Sequence, residues 1–212
     1  MRGRFIVIEG LDGAGTTTQA LLLGRYLFEK GKHYVPLLTR EPTLLTPEGQ
    51  EIRRRLEGKL WPHEQAIDDA EYWANLFVCD RSWHLEQVVQ VNREKGLYVI
   101  SDRHMLSTLA YQAAQGMEMD QLIKLHQGLA TPDLTLFLRV PAEIAVERIR
   151  ANRSGEPEYF ERKQHFLKLV EDHYERAVQK MYAEQNIRVI DGRLSIAEVA
   201  AAIVKEVDKL SD

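Results

Sequence analysis

Phe5-Ile6-Val7-Ile8-Glu9-Gly10-Leu11-Asp12-Gly13-Ala14-Gly15-Thr16-Thr17-Thr18-Gln19 is the stretch on which the fold turns. Its first four residues form a short apolar run rich in β-branched side chains, the pattern of a buried strand. Glycines follow at 10, 13 and 15. From Thr17 to about Lys30, Leu21, Leu22, Tyr26 and Leu27 recur at helical spacing, and Gly31 marks the stop. A strand, a glycine-rich turn and a helix, in that order, make a phosphate-binding loop. The glycines let backbone N–H groups turn inward, and the helix N-terminus adds partial positive charge. Gly10, Leu11, Asp12, Gly13, Ala14, Gly15, Thr16, Thr17 and Thr18 are therefore read as a phosphate cradle.

Outward from this loop, short apolar runs alternate with longer amphipathic ones. Strands are expected at Tyr34–Leu38, Leu97–Ile100, Leu134–Val140 and Arg188–Ile190. Helices are expected at Gly49–Leu56, Asp68–Arg93, Ser107–Gln115, Met119–Leu129, Pro141–Asn152, Phe160–Gln185 and Ile196–Leu210. Strict alternation of this kind indicates an α/β fold: a doubly wound, five-stranded parallel sheet of P-loop NTPase type with helices on both faces. In such a sheet a ligand sits at the carboxyl ends of the strands. The polar stretch Arg153–Pro157 breaks the helical period, so a short mobile lid is expected at about 148–160 within a single domain spanning 1–212.

Composition narrows the function classes. The chain has 212 residues, of which 44% are hydrophobic and 28% charged, as in a globular domain. Its net charge of −4 argues against a nucleic-acid partner. The single cysteine, Cys79, excludes an internal disulfide and a cysteine-rich zinc site. No apolar run approaches the roughly 18 residues needed to span a bilayer, and no signal-peptide pattern precedes the first strand. The expectation is a cytoplasmic protein acting on small molecules.

Several further segments are informative together: Thr39-Arg40-Glu41-Pro42, Leu76-Phe77-Val78-Cys79-Asp80-Arg81, Asp102-Arg103-His104 with Ser107-Thr108 and Ala110-Tyr111-Gln112, and Thr131-Pro132-Asp133-Leu134-Thr135-Leu136. In this order and at these intervals, behind the phosphate loop, they resemble the thymidylate kinases over nearly the whole chain. The resemblance implies transfer of the γ-phosphoryl group of ATP to dTMP, with Mg²⁺, by a homodimer. It implies that Asp12 accepts from the 3′-hydroxyl of the monophosphate, and that Arg103, helped by Arg40, clamps its phosphate. Phe77 and Arg81, four apart and so on one helix face, would stack on the pyrimidine and donate to its O4. Tyr111 would crowd the 2′ position of the sugar, and Thr108 and Gln112 would line the base pocket. Thr17 and Asp102, with Glu9 as a second candidate, would hold the metal. Arg148, Arg150 and Arg153 would compensate charge on the phosphoryl group in transfer.

The chain departs from the pattern in two places. Thr16 stands where G-x-x-x-x-G-K-[ST] has lysine, so the ammonium that reaches the β- and γ-phosphates is absent. Either the chain is a binding-only relative, or the lid arginines suffice, or another cation has moved in. The expectation adopted is the last, with Arg139, at the end of the fourth strand, pointing across at the loop. Secondly, Thr43 follows Glu41-Pro42 where many relatives carry two glycines, which should stiffen Thr43–Pro47. The functional alternatives are a catalytically silent nucleotide-binding relative and a kinase for another monophosphate such as dUMP. One methyl group is worth only about 1–3 kcal/mol of discrimination in an apolar pocket.

Overall fold

The computed structural model describes residues 3–57, 67–152 and 157–210. Strand β1 (Arg4–Gly10) leads through the glycine turn into α1 (Thr16–Lys30). Then come β2 (Pro36–Arg40), α2 (Pro47–Glu57), α3 (Ile67–His84), a π-helical segment (Leu85–Gln90) and α4 (Val91–Glu94). They are followed by β3 (Tyr98–Asp102), α5 (Met105–Ala114), α6 (Met119–Leu125), β4 (Leu134–Arg139) and α7 (Ala142–Asn152). The chain closes with α8 (Pro157–Met181), β5 (Ile187–Asp191) and α9 (Ile196–Val207).

All four strand pairings are parallel, in the order β2-β3-β1-β4-β5. This is the expected doubly wound sheet. β1 is at its centre because it can be: its side chains are buried from Phe5 to Gly10. Alternate residues serve opposite faces. Phe5 and Val7 pack with Leu85, Val89 and Val99. Ile6 and Ile8 belong to the larger core with Leu23 and Leu27 of α1.

The chain leaves β1 for β2 and returns through β3, so the sheet's switch point lies at the carboxyl end of β1. Register brings the neighbouring ends level there. Ile8 pairs with Asp102, Gly10 with Leu138, and Arg40 with Asp102. The phosphate loop, the Asp102–Arg103 corner and Arg40 are thereby gathered on one edge.

Most boundaries shift by a few residues from the sequence reading, and three of the differences are informative. The second strand starts at Pro36 rather than Tyr34, because Tyr34 N–H turns back to the Gly31 carbonyl (3.0 Å). The long helix continues through 68–93 but widens to π geometry at Leu85–Gln90. That widening keeps Leu85 and Val89 on the β1 face. The helix expected to reach Leu129 ends at Leu125, and Gly128 adopts a φ of 85° just beyond it. No helix among the described residues is long and apolar enough to cross a membrane.

Candidate active site

The loop has the conformation its glycines allow. Gly13 and Gly15 have φ of 86° and 95°, values that L side chains rarely adopt. A Cβ on Gly13 would lie 2.4 Å from the Ala145 carbonyl oxygen, whereas one on Gly15 would meet nothing within 4 Å. The loop is thus packed against α7 at one glycine and open at the other. α1 begins at Thr16 with no side-chain cap, which leaves its first N–H groups for a ligand. Thr16 itself is buried, and Thr17 and Thr18 are exposed.

Asp12 and Arg103 meet over this loop. Arg103 Nη2 donates to Asp12 Oδ1 at 2.7 Å. Its Nη1 donates to the Gly10 carbonyl at 2.9 Å and to Ser107 Oγ at 3.0 Å. Arg103 has a φ of 78°, the only non-glycine residue in the left-handed region among those described. Its guanidinium also lies over the Tyr111 ring, 5.6 Å from the centroid. Tyr111 Oη accepts from the Asp12 N–H at 3.1 Å. Burial opposes the charged form of Asp12, but Arg103, Lys163 and the Tyr111 hydrogen bond outweigh it and hold the carboxyl below its usual range.

The second Asp12 oxygen receives a side chain that no sequence motif announced. Lys163 Nζ, from the start of α8, lies 3.4 Å from Asp12 Oδ2, and its side chain is 3% exposed. Tyr174, also on α8, donates to the Gly10 carbonyl at 3.0 Å. Burial and neighbouring Glu9 push the Tyr174 phenol well above its ordinary range, so it remains a donor. A signal for both was available. Lys163, Phe166, Leu167, Val170, Tyr174, Ala177 and Met181 fall on one buried stripe of α8, and a lysine on an apolar stripe is out of place.

Thr17 and Asp102 come together beside the loop. Thr17 Oγ1 donates to Asp102 Oδ2 at 2.5 Å, and Asp102 Oδ1 is buried without a hydrogen-bond partner. A hydroxyl and an orphaned carboxylate oxygen beside the loop suit a hard cation that keeps part of its water shell. Glu9 does not fit that role. Its Oε1 accepts from the N–H groups of His104 (2.9 Å) and Ser107 (3.1 Å), and its Oε2 from Ser107 Oγ (2.6 Å). Glu9 thus fastens the start of α5 to the sheet.

Arg81 is where structure and expectation differ most. Its Nε donates to Glu41 Oε2 at 2.6 Å, its Nη1 to His126 Nε2 at 2.5 Å, and its Nη2 to the His104 carbonyl and Thr108 Oγ1, both at 3.0 Å. The pair is sealed, Arg81 being 1% and Glu41 3% exposed. Glu41 Oε1 also meets Nδ1 of His84 (2.9 Å) and of His104 (3.0 Å). Burial alone would raise the Glu41 carboxyl, but Arg81 and His104 bring it well below its usual range. Arg81 is therefore engaged inside the protein rather than presented toward a base, and so is Thr108. Phe77 is half-buried and stacks on Trp73, with ring centroids 6.2 Å apart. Gln112 is buried with its Oε1 unpartnered, as a residue lining a ligand pocket can be. Arg40 is exposed at the end of β2.

The threonines after Pro42 also find a reason. Asp80 Oδ2 accepts from the Thr43 N–H at 2.7 Å, and its Oδ1 from the hydroxyls of Thr43 (2.5 Å) and Thr46 (2.6 Å). The segment is pinned to α3 by a buried carboxylate.

Arg139, expected to point across at the loop, has an acidic partner on α8. It stands at the end of β4, and its Nε and Nη2 pair with Glu175 of α8 at 2.6 and 2.7 Å, half-exposed. Arg148 Nη2 donates to the Gly192 carbonyl at 2.9 Å, and Arg150 is exposed on α7. Of the stretch 148–160 read as a lid, 148–152 end α7 and 157–160 begin α8. Residues 153–156, Arg153 included, lie outside the described residues.

A sequence profile of the family described as Thymidylate kinase matches residues 8–203. The chain is 35% identical over 205 residues to a "Probable thymidylate kinase" of Pyrococcus abyssi, covering 96% of this chain and 95% of that protein. It is 35% identical over 212 residues to a "Thymidylate kinase" of Nitrosomonas eutropha, covering 98% and 94%. A third such protein, from Carboxydothermus hydrogenoformans, is 35% identical over 204 residues, with 94% of each chain covered.

Proposed function

The chain belongs to the thymidylate kinase family, and from that premise we propose how its site works: it phosphorylates dTMP to dTDP with ATP as donor. One observation carries the reading. The carboxyl ends of β1, β2 and β3 gather a glycine-lined loop, Asp12, Thr17, Arg40, Asp102 and Arg103 on one edge of the sheet.

The loop amides and the N-terminus of α1 bind the phosphates of ATP. Thr17 and Asp102 would hold Mg²⁺, which when bound would neutralise charge on the donor phosphates. Arg103 exchanges part of its contact with Asp12 for the acceptor phosphate, where a guanidinium makes paired hydrogen bonds. Asp12, released at one oxygen, accepts from the 3′-hydroxyl. Tyr111, in contact with both Asp12 and Arg103, would crowd a 2′-hydroxyl. No side chain has to remove a proton, because the acceptor phosphate is already anionic, and catalysis is positioning and charge compensation. Arg148 and Arg150 of α7, with Arg153, contribute further positive charge to the transfer. The family implies a homodimer working in the cytoplasm.

A coupled assay of ADP release tests this. ATP and Mg²⁺ with dTMP should give acceptor-dependent turnover, and dUMP should be poorer by the roughly 10–200-fold that one methyl group supports. ADP release independent of any nucleoside monophosphate would overturn the reading.

A further inference from the structure

Thr16 leaves the phosphate loop without its own cation, and Arg139 is held by Glu175. The side chains in contact with Asp12 supply two positive charges at the loop. One is Arg103, whose place the Asp-Arg-His segment had announced. The other is Lys163. We propose that Lys163 replaces the missing loop lysine: its ammonium, resting on Asp12 here, contacts the phosphoryl group in transit when both nucleotides are bound.

The inference rests on the kinase reading above and adds a residue to it. Three observations carry it. First, the position is an unlikely one for packing. Lys163 is 3% exposed on a stripe of α8 otherwise made of Phe166, Leu167, Val170 and Tyr174. Desolvating an ammonium there is costly. Second, its contact with Asp12 is a long one. The distance is 3.4 Å, to a carboxylate 41% exposed that already holds Arg103 at 2.7 Å. Third, Asp12 lies inside the loop, between Gly10 and Gly13, so Lys163 brings its charge to the cradle from a different element. A lysine arm has four rotatable carbons and three donors, which suits transfer from a carboxylate to a phosphate oxygen. Asp12 is also the residue from which substrate draws contacts away.

The transfer itself balances without help from Lys163 as acid or base. An oxygen of the dTMP phosphate bonds to the γ-phosphorus as the bond to the β,γ-bridging oxygen breaks. ADP leaves with that electron pair, and Lys163 compensates the charge.

The test is a four-protein comparison by coupled ADP release: the unchanged chain, Lys163→Met, Thr16→Lys and the double variant. Lys163→Met should lower kcat by about 10²–10³, the usual cost of one charge-stabilising donor, and move KM for dTMP much less. Thr16→Lys should restore most of that loss in the double variant, because the charge returns from the loop side. Lys163→Arg, which keeps the charge, should retain more activity than Lys163→Met. Thermal melts of each protein identify any variant that fails to fold, and for such a case Lys163→Arg against Lys163→Gln gives the same comparison. If Lys163→Met turns over like the unchanged chain, or if a folded double variant regains nothing, Lys163 only braces α8 and the proposal fails. If the unchanged chain shows no dTMP-dependent turnover, the kinase reading fails first and this inference with it.

Discussion

Two arginine–carboxylate pairs sit within the same sheet edge and behave as opposites. Arg81 and Glu41 are sealed, and Arg81 makes four hydrogen bonds to protein groups. Arg103 and Asp12 are 20% and 41% exposed, and the Arg103 contacts are a carboxylate, a carbonyl and two hydroxyls at the mouth of the loop. The first pair joins β2, α3 and the corner after β3 into one frame. The second has partners that an incoming phosphate and sugar can take over. The same two residue types thus build scaffold in one place and site in the other, and solvent access to the pair is what separates the roles.

The largest effect is expected from breaking the sealed pair. Arg81→Met should cost about 3–5 kcal/mol of stability, because it leaves Glu41 buried and uncompensated. Urea melts would read this as a shifted midpoint at constant slope. Adding Glu41→Gln should recover part of the loss; no recovery would mean that Arg81 stabilises through packing rather than charge.

Breaking the open pair should separate activity from stability. Arg103→Gly should lower kcat by about 10²–10³. It should melt higher than Arg103→Ala by about 1 kcal/mol, because glycine relieves the left-handed backbone at this position. Equal melting of the two variants would remove backbone strain from the account.

pH sharpens the contrast at the sealed cluster. His126 accepts from Arg81 through Nε2, and its Nδ1 donates to the Leu122 carbonyl at 2.7 Å, so it is neutral. Burial, then Arg81, push its pKa from 6.5 down to about 3. The unfolded chain takes up this proton near pH 6.5 and the folded one does not. The stabilisation is therefore complete above about pH 6.5 and falls at up to about 1.4 kcal/mol per pH unit on acidification, until about pH 3. His173, also lowered by burial, adds in the same direction. The lowered carboxyls of Glu41 and Asp12 add their losses only below their ordinary values of 4.5 and 3.8. Urea midpoints at pH 7, 6 and 5 should fall in that order, and His126→Gln should flatten the trend. A constant midpoint would contradict a neutral His126.

The smallest effect belongs to the exposed pair of Arg139 and Glu175. Arg139→Ala should change stability by no more than about 0.5 kcal/mol and leave turnover within roughly twofold. A large loss of turnover would return Arg139 to the phosphates.

These contrasts also mark what was legible beforehand. The apolar run Phe5–Ile8 and the glycines after it announced the sheet and the loop, because strand burial and positive φ are local requirements. Thr17 with Asp102 and Asp12 with Arg103 were legible as motif residues. Glu41 was read only as part of a motif, since nothing local says that Arg81, His84 and His104 will converge on it. Arg81 was placed in the base pocket because helix spacing sets its face but not which partners fill that face. Arg139 was correctly set at a strand end, and its rotation onto Glu175 depends on α8, 36 residues away. Lys163 had a signal in its apolar stripe, but no spacing tied it to the loop.

The central claim is that this loop supports transfer without a lysine of its own. Single-turnover transfer of label from [γ-³²P]ATP to dTMP measures that step alone. The account predicts labelled dTDP at the rate at which ADP appears. Label that stays in ATP, with both nucleotides shown to be bound, would contradict it.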